Sequence, residues 1–132
     1  MKSVPLIIES NLHRVFKLHH YNYKAIPLRI IDGDTVKFSI DLGFHVSIIE
    51  NVRLFGIDAP EIRGPERPDG LKSKDHITKL IESCEQIILE TRRDKQGKYG
   101  RYIATIWGMI GMHYININDQ MVIDGFAKEA QY

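Results

Sequence analysis

The sequence predicts an α+β domain in which five strands form a small barrel and two helices pack against it. Residues 35–41 alternate apolar and polar side chains, which is the two-residue period of a half-buried strand. Residues 77–84 instead carry apolar side chains at helical spacing. The chain has 132 residues, the usual size of one domain, and it contains neither internal repeats nor low-complexity segments.

Three strands are expected in the first half of the chain. The first occupies residues 23–31 and ends at Asp32-Gly33, a dipeptide typical of hairpin turns. The second follows over residues 35–41, and a tight connection near Leu42-Gly43 leads to a long third strand over residues 44–57. Two successive hairpins would place these three strands side by side.

The second half of the chain is predicted to pass from a loop to a helix and then to two further strands. Proline and glycine are frequent in residues 60–70, so this stretch is expected to be a surface loop. The helical spacing of apolar residues predicts a helix over residues 71–83. Strands are predicted over residues 86–91 and 101–107, with a turn at residues 94–97.

A second, shorter helix is predicted near the carboxyl end of the chain. Asn116 or Asn118 can cap its amino terminus, and Gly125 is well placed to end it. Trp107, on the preceding strand, is expected to pack in the core.

The composition excludes several classes of protein. The chain has 18 basic and 17 acidic residues and a net charge of +1, so a nucleic-acid-binding role requires a local concentration of positive potential. The single Cys84 cannot form an internal disulfide, and the chain has no apolar run long enough for a signal peptide or a membrane span. We therefore expect a cytoplasmic protein with no membrane partner, whether a bacterium or a phage encodes it.

Residues 1–22 are predicted to form an amino-terminal extension, and residues 23–132 are predicted to form the folded domain. The extension contains several large apolar residues, among them Leu6, Ile7, Ile8, Val15, Phe16 and Leu18. These side chains would pack on the domain or against a second copy, and the alternative is a flexible tail. The oligomeric state stays open, with a monomer slightly favoured.

Charged residues suited to phosphodiester chemistry lie near the ends of the predicted strands. Asp34 follows the Asp-Gly turn, and Asp58 and Glu61 lie where the third strand runs into the loop. Arg53 lies within that strand, and Arg101 begins a later one. Carboxylates bind hard divalent cations, arginines bind phosphate, and phosphodiester hydrolysis uses both. Together these residues predict a metal-dependent nuclease.

Each of these residues also has a purely structural interpretation. Asp34 and Asp58 could be solvated residues at strand ends, since Asp is common in turns. Arg53 has apolar neighbours, so its charge needs a partner, which could be a core carboxylate or a substrate phosphate. Lys98 and Tyr99 supply a charge and a hydroxyl suited to phosphate, but both are equally common on protein surfaces.

Taken together, these residues resemble the staphylococcal (micrococcal) nuclease family, also called the thermonuclease-like family. The matching blocks occur in the family's order: residues 31–35, residues 53–61, residues 98–101 and residues 125–128. The resemblance covers about residues 23–130. It implies a five-stranded OB-type β-barrel with two or three packed helices. It also implies Ca²⁺ as cofactor and endonucleolytic hydrolysis of DNA and/or RNA to 3′-phosphate and 5′-hydroxyl ends.

The resemblance also implies a role for each matching residue. Asp34 and Asp58 would bind the metal through side-chain oxygens, and the carbonyl of Ala59 would help. The family often has Thr at that last position, but a backbone ligand survives the change to Ala. Glu61 would act as general base, directly or by orienting the attacking water.

The cationic residues would contact the substrate. By resemblance, Arg53 and Arg101 would bind phosphate oxygens and neutralise the charge that grows in the transition state. Lys98 and Tyr99 would contact a neighbouring phosphate.

Two non-enzymatic alternatives remain at this point. The chain could be a non-catalytic OB-type module that binds nucleic acid, or a protein-interaction domain with a vestigial site. Such domains typically lose active-site carboxylates, whereas Asp34, Asp58 and Glu61 are all present here. The sequence therefore favours an active nuclease.

Overall fold

The computed structural model describes residues 21–96 and 101–131, which form a closed five-stranded barrel with two packed helices. The strands are β1 (Tyr21–Asp32), β2 (Thr35–Gly43), β3 (Val46–Leu54), β4 (Ile57–Asp58), β5 (Gln86–Gln96), β6 (Tyr102–Ile110), β7 (His113–Asn116) and β8 (Lys128–Glu129). The helices are α1 (Arg67–Glu82) and α2 (Ile117–Ile123), and a 3₁₀ turn (Gly64–Glu66) precedes α1. The predicted α+β class and OB-type barrel are confirmed.

Five of these strands close the barrel. The order β3-β2-β1-β5-β6 is antiparallel throughout, and a parallel pairing of β3 with β6 joins its two ends. β7 extends the sheet beyond β6, while β4 and β8 form a separate two-stranded ribbon. The parallel pairing brings Arg53 opposite Ile103, two residues after Arg101.

The core follows the periodicities seen in the sequence. Along β2, Val36, Phe38 and Ile40 are buried and the intervening side chains are less so, as a half-buried strand requires. Along α1, the buried residues are Gly70, Ser73, Ile77 and Ile81, which form one stripe. This stripe packs α1 against the barrel, beside the β1–β2 turn.

α1 begins four residues earlier than predicted. The sequence predicted residues 60–70 as loop and a helix over 71–83, but the helix runs from Arg67 to Glu82. Pro68 does not interrupt it, because a proline in the first helical turn lacks only an N–H that has no acceptor there. The error therefore comes from reading Pro68 and Gly70 as loop residues.

The predicted boundaries of two strands were also wrong. The third strand does not run over residues 44–57. Phe44 and His45 form the hairpin turn with positive φ angles of 54° and 62°, and Gly56, at φ 78°, separates β3 from β4. The turn predicted at residues 94–97 does not begin there, because β5 continues to Gln96, which pairs with Tyr102.

Polar side chains join the helices to the rest of the fold. The Asn116 side chain caps α2 by accepting a hydrogen bond from the Asp119 amide at 3.0 Å. His76 of α1 lies 2.7 Å from the Asp124 carboxylate and stacks on Phe126. Trp107 was expected in the core, but it is only half-buried, and its indole N–H donates to Glu90 at 2.9 Å.

Candidate active site

Asp34 is held rigidly at the turn between β1 and β2. Its amide donates to the Asp32 side chain at 3.0 Å, and its backbone carbonyl accepts from the Leu54 amide at 2.8 Å. The Ala59 amide donates to Asp34 Oδ2 at 2.9 Å. The residue is only 4% exposed, so this carboxylate faces the interior of a site and is not a solvated turn residue.

Arg53 connects Asp34 to Asp58. Thr35 and Arg53 are directly opposite each other on β2 and β3, so the guanidinium lies beside the preceding residue, Asp34. Its Nη1 is 3.2 Å from Asp34 Oδ1, while Nη2 makes an ion pair with Asp58 Oδ1. The carboxylate partner that the sequence allowed for Arg53 is therefore present, and Asp34 supplies it on the buried side.

Arg101 joins the same network through Thr35. Its Nη1 is 3.3 Å from Thr35 Oγ1, and that hydroxyl donates to Asp34 Oδ1 at 3.0 Å. Arg101 directly precedes β6, which pairs with β3, so strand pairing brings it to Asp34 across 67 positions of sequence. Both arginines therefore approach one carboxylate.

Glu61 completes one open cleft with these residues. The chain leaves β4 at Asp58 and turns into the segment that carries Glu61, whose side chain is exposed. The cleft has a volume of about 520 Å³ and is lined by both arginines, by Asp34 and Asp58, and by Glu61. Loops mounted on a rigid sheet are common carriers of catalytic groups. A phosphodiester in this cleft would meet carboxylates and guanidinium groups together.

The charge balance around Asp34 favours a cation. Burial, with the neighbouring Asp32 carboxyl adding to it, raises the pKa of Asp34 from 3.8 to about 6. The Ala59 amide and Arg53 act in the opposite direction but do not cancel this effect. The negative charge of Asp34 is therefore only partly compensated by its protein partners, and a bound cation would stabilise it.

The carboxylate oxygens here could bind a hard cation with flexible coordination in place of the guanidinium contacts that they now make. Asp34 and Asp58 are bridged by one guanidinium, and Ala59 contacts Asp34 through its backbone. Among the side chains that the structure describes, no three acidic, histidine or cysteine residues converge as a complete metal-binding cluster. Backbone carbonyls and water would have to supply the remaining ligands, which Ca²⁺ accepts.

The structure brings together six of the eight predicted site residues, namely Asp34, Arg53, Asp58, Ala59, Glu61 and Arg101. The other two, Lys98 and Tyr99, lie outside the described residues, as do residues 1–20 of the predicted extension. Sequence reasoning treated Asp32 only as a turn residue and gave Thr35 no role. The sequence feature that could have identified Asp32 and Thr35 was their position beside Asp34 in the block 31–35.

The described helices also bear on the membrane question. None of them is long and apolar enough to cross a membrane.

Comparison with known proteins identifies related chains. The family model described as "Staphylococcal nuclease homologue" matches residues 51–132. A thermonuclease of Staphylococcus intermedius is 33% identical over 107 residues, which cover 79% of this chain and 58% of that protein. A thermonuclease of Staphylococcus hyicus is 29% identical over 136 residues, which cover 98% of this chain and 73% of that protein.

A third relative comes from a different organism. An uncharacterized protein of Methanocaldococcus jannaschii is 26% identical over 129 residues, which cover 83% of this chain. The chain spans about 60% of the length of this protein and of the S. intermedius thermonuclease. The family model covers more than half of the chain, including Arg53, Asp58, Glu61 and Arg101. This chain therefore belongs to the staphylococcal nuclease homologue family.

Proposed function

We propose that this protein is a Ca²⁺-dependent endonuclease that hydrolyses DNA and/or RNA to 3′-phosphate and 5′-hydroxyl ends. The observation that carries the proposal is the linked set of Asp58, Arg53, Asp34, Thr35 and Arg101 in one cleft with Glu61. The buried Asp34, whose pKa is raised to about 6, favours catalysis over binding alone, because strongly perturbed carboxylates concentrate at functional sites.

Asp34 and Asp58 are the side chains that would hold Ca²⁺, with the Ala59 carbonyl as a further ligand. A bound Ca²⁺ would polarise the phosphodiester and neutralise part of its charge. Arg53 already bridges the two carboxylates, so it keeps them close together before any cation binds. This preorganisation lowers the cost of assembling the site.

The remaining residues act on the water and on the phosphate. Glu61 is exposed to the cleft, so a water molecule there can donate its proton to this carboxylate and attack phosphorus. The P–O5′ bond breaks opposite the attacking oxygen, and the departing 5′ oxygen takes a proton from solvent water, which leaves a 3′-phosphate and a 5′-hydroxyl. Arg53 and Arg101 line the same cleft and would stabilise the charge on the equatorial oxygens.

The proposal is tested by incubating the protein with labelled single-stranded DNA and RNA. Parallel reactions contain Ca²⁺, Mg²⁺ or a chelator, and the product ends are mapped with phosphatase and kinase. We expect cleavage with Ca²⁺, none with the chelator and little with Mg²⁺, because a site with two carboxylates and a carbonyl favours the larger and more flexibly coordinated ion.

A Glu61→Gln sample, prepared identically, controls for contaminating nucleases. Cleavage that persists in the chelator, or 5′-phosphate products, would contradict the proposed chemistry. Binding of DNA without cleavage under any metal condition would favour the non-catalytic alternative. Absence of both binding and cleavage would favour a protein-interaction domain.

A further inference from the structure

Gly70 of α1 lies directly against the backbone of Glu61. A methyl group added to Gly70 would overlap the carbonyl carbon and oxygen of Glu61, and it would lie 2.8 Å from the Ile62 nitrogen. These are backbone atoms, so they cannot move aside by a change of rotamer as a side chain could. Gly70 is also buried, although it lies in the first turns of the helix. Its missing side chain is therefore what lets α1 and the Glu61 segment touch.

The same helix makes a second contact with this segment. Arg67 donates from Nη1 to the Ile62 carbonyl at 2.8 Å. α1 also packs against the turn that carries Asp34. A methyl group added to Gly33 in that turn would lie 2.7 Å from the side chain of Ser73, which belongs to α1, and 2.7 Å from the side chain of Ala59. One rigid helix thus contacts both the Glu61 segment and the Asp34 turn.

We propose that Gly70 is a positioning residue, which sets the distance between the Glu61 carboxylate and the Asp34–Asp58 pair through backbone contact with α1. The proposal rests on the role of Glu61 in the proposed function. Gly70 itself does not line the cleft, so it acts only through Glu61. Arg67 supports the same placement through its bond to Ile62.

Relief of the overlap requires a displacement of about 1 Å in the Glu61 backbone or in the helix. A misplacement of that size at a catalytic group can cost about 10²-fold in rate. Binding of metal and substrate depends on Asp34, Asp58, Arg53 and Arg101, and none of these supplies the atoms nearest to a methyl group added at Gly70. We therefore expect the loss in Gly70→Ala to fall on kcat.

The experiment compares Gly70→Ala with Gly108→Ala in the full chain. Gly108 offers a control at a second buried glycine, because its added methyl would overlap a side-chain atom, the Cys84 sulfur, near α2 and away from the cleft. Steady-state kinetics with Ca²⁺ and DNA, calorimetric Ca²⁺ titration and thermal melting are measured for both. We expect kcat to fall about 10²-fold in Gly70→Ala alone, with KM and Ca²⁺ affinity changed less than about threefold.

A double-mutant cycle separates positioning from general damage to the fold. If Gly70 acts through Glu61, Gly70→Ala should cost little more when Glu61→Gln is already present. Equal losses in both backgrounds, or an equal fall in kcat in Gly108→Ala, would overturn the proposal. If Gly70→Ala does not fold, Arg67→Gln is measured in its place, since it removes the Ile62 contact without adding bulk.

Limited trypsin digestion gives a readout that needs no activity. Arg63 lies two residues after Glu61, and trypsin cleaves after it, while the Arg67-Pro68 bond resists. We expect cleavage at Arg63 to accelerate at least about fivefold in Gly70→Ala and not in Gly108→Ala, because loss of local contacts raises local opening. An unchanged cleavage rate would refute the positioning role even if the wild-type protein proved to have no nuclease activity, which would refute the proposed function separately.

Discussion

The pKa of Asp34 is subject to opposing influences from its neighbours in the candidate site. Its burial and its closeness to Asp32 disfavour the negative charge, while Arg53 and the Ala59 amide favour it. Burial prevails, so the pKa of Asp34 rises to about 6; the carboxylate is still mostly ionised at pH 7, and a further cation beside it would stabilise that charge. This is the usual conflict between stability and function at an active site.

A first prediction follows from the pKa of Asp34. The folded pKa of about 6 lies above the reference value of 3.8, so this group lowers the free energy of unfolding as pH rises from about 4 to 6. In chelator, Asp34→Asn should therefore raise the free energy of unfolding by about 1–3 kcal/mol at pH 7, and by almost nothing at pH 3.5. Urea titrations at both pH values measure this.

Asp58→Asn is the control for this prediction. Asp58 shares Arg53 with Asp34, but its side chain is 61% exposed, so it tests whether loss of any acidic charge in the cleft is enough. A gain for Asp34→Asn of the same size at both pH values would contradict the linkage argument. So would a loss of stability at pH 7.

A second prediction concerns the general base. Glu61→Gln keeps the size and polarity of an exposed side chain but removes its ability to accept a proton at neutral pH. We expect kcat to fall by about 10²–10⁴, with Ca²⁺ affinity and DNA binding retained. Single-turnover kinetics and calorimetry check these quantities. Wild-type turnover in the variant would exclude Glu61 from the mechanism.

Among the secondary-structure elements, α2 carries a buried side chain that connects β6 with the turn after β3. The Asn118 side chain is 2% exposed and accepts from the Ile106 amide at 3.0 Å. Its Nδ2 donates to the carbonyls of Phe55 and Ala104, at 2.9 Å and 3.1 Å. Phe55 lies in the turn between β3, which carries Arg53, and β4, which carries Asp58. One buried amide thus connects this turn with β6.

A third prediction tests this link. Asn118→Ala removes three hydrogen bonds, two of them buried, so it should lower the free energy of unfolding by about 3 kcal/mol, out of a typical total of about 5–15 kcal/mol. Asn116→Ala removes only the cap of α2 and should cost about 0.5–2 kcal/mol. Denaturant titration of the two variants compares them. Equal losses would show that the Asn118 network adds nothing beyond its helix.

At the scale of the whole molecule, an apolar opening at one end of the barrel offers a surface for the predicted packing of the amino-terminal extension on the domain. A cavity of about 120 Å³ there is lined by Tyr23, Leu42 and Ile48, among others, and the last two side chains are 39% and 37% exposed. Thr91, which also lines it, pairs with Tyr21 at the start of β1. The chain therefore enters the described fold beside this opening, with Val15, Phe16 and Leu18 only a few residues upstream.

A fourth prediction is that the extension covers apolar surface of the domain. Deletion of residues 2–20 should lower the free energy of unfolding by at least about 1.5 kcal/mol, the lower end for one large apolar side chain that loses its burial. Thermal melting and light scattering measure stability and solution mass. A fall in mass on deletion would place the contact between two copies. An unchanged melting temperature together with an unchanged mass would show that the extension is a tail.

The sequence by itself determined the fold class and named most of the residues that line the candidate cleft. Alternation along β2 and helical spacing along α1 are local patterns, so they are readable without tertiary contacts. The candidate residues could be named because they lie in short blocks around Asp34, Asp58 and Arg101 that match the family. The element boundaries were predicted less well. A proline can lie in a loop or in the first turn of a helix, as Pro68 does, and a glycine can lie within a strand or interrupt it, as Gly56 does.

Tertiary structure alone decided what those residues do to one another. No spacing in the sequence indicates that Arg53 would bridge two carboxylates, or that burial would raise the pKa of Asp34 to about 6. Likewise, Gly70 resembled an ordinary loop glycine until α1 placed it against Glu61. Local patterns specify which face of an element is buried. Distances and burial at the site, in contrast, arise from contacts between residues far apart in the chain, which exist only when the barrel closes.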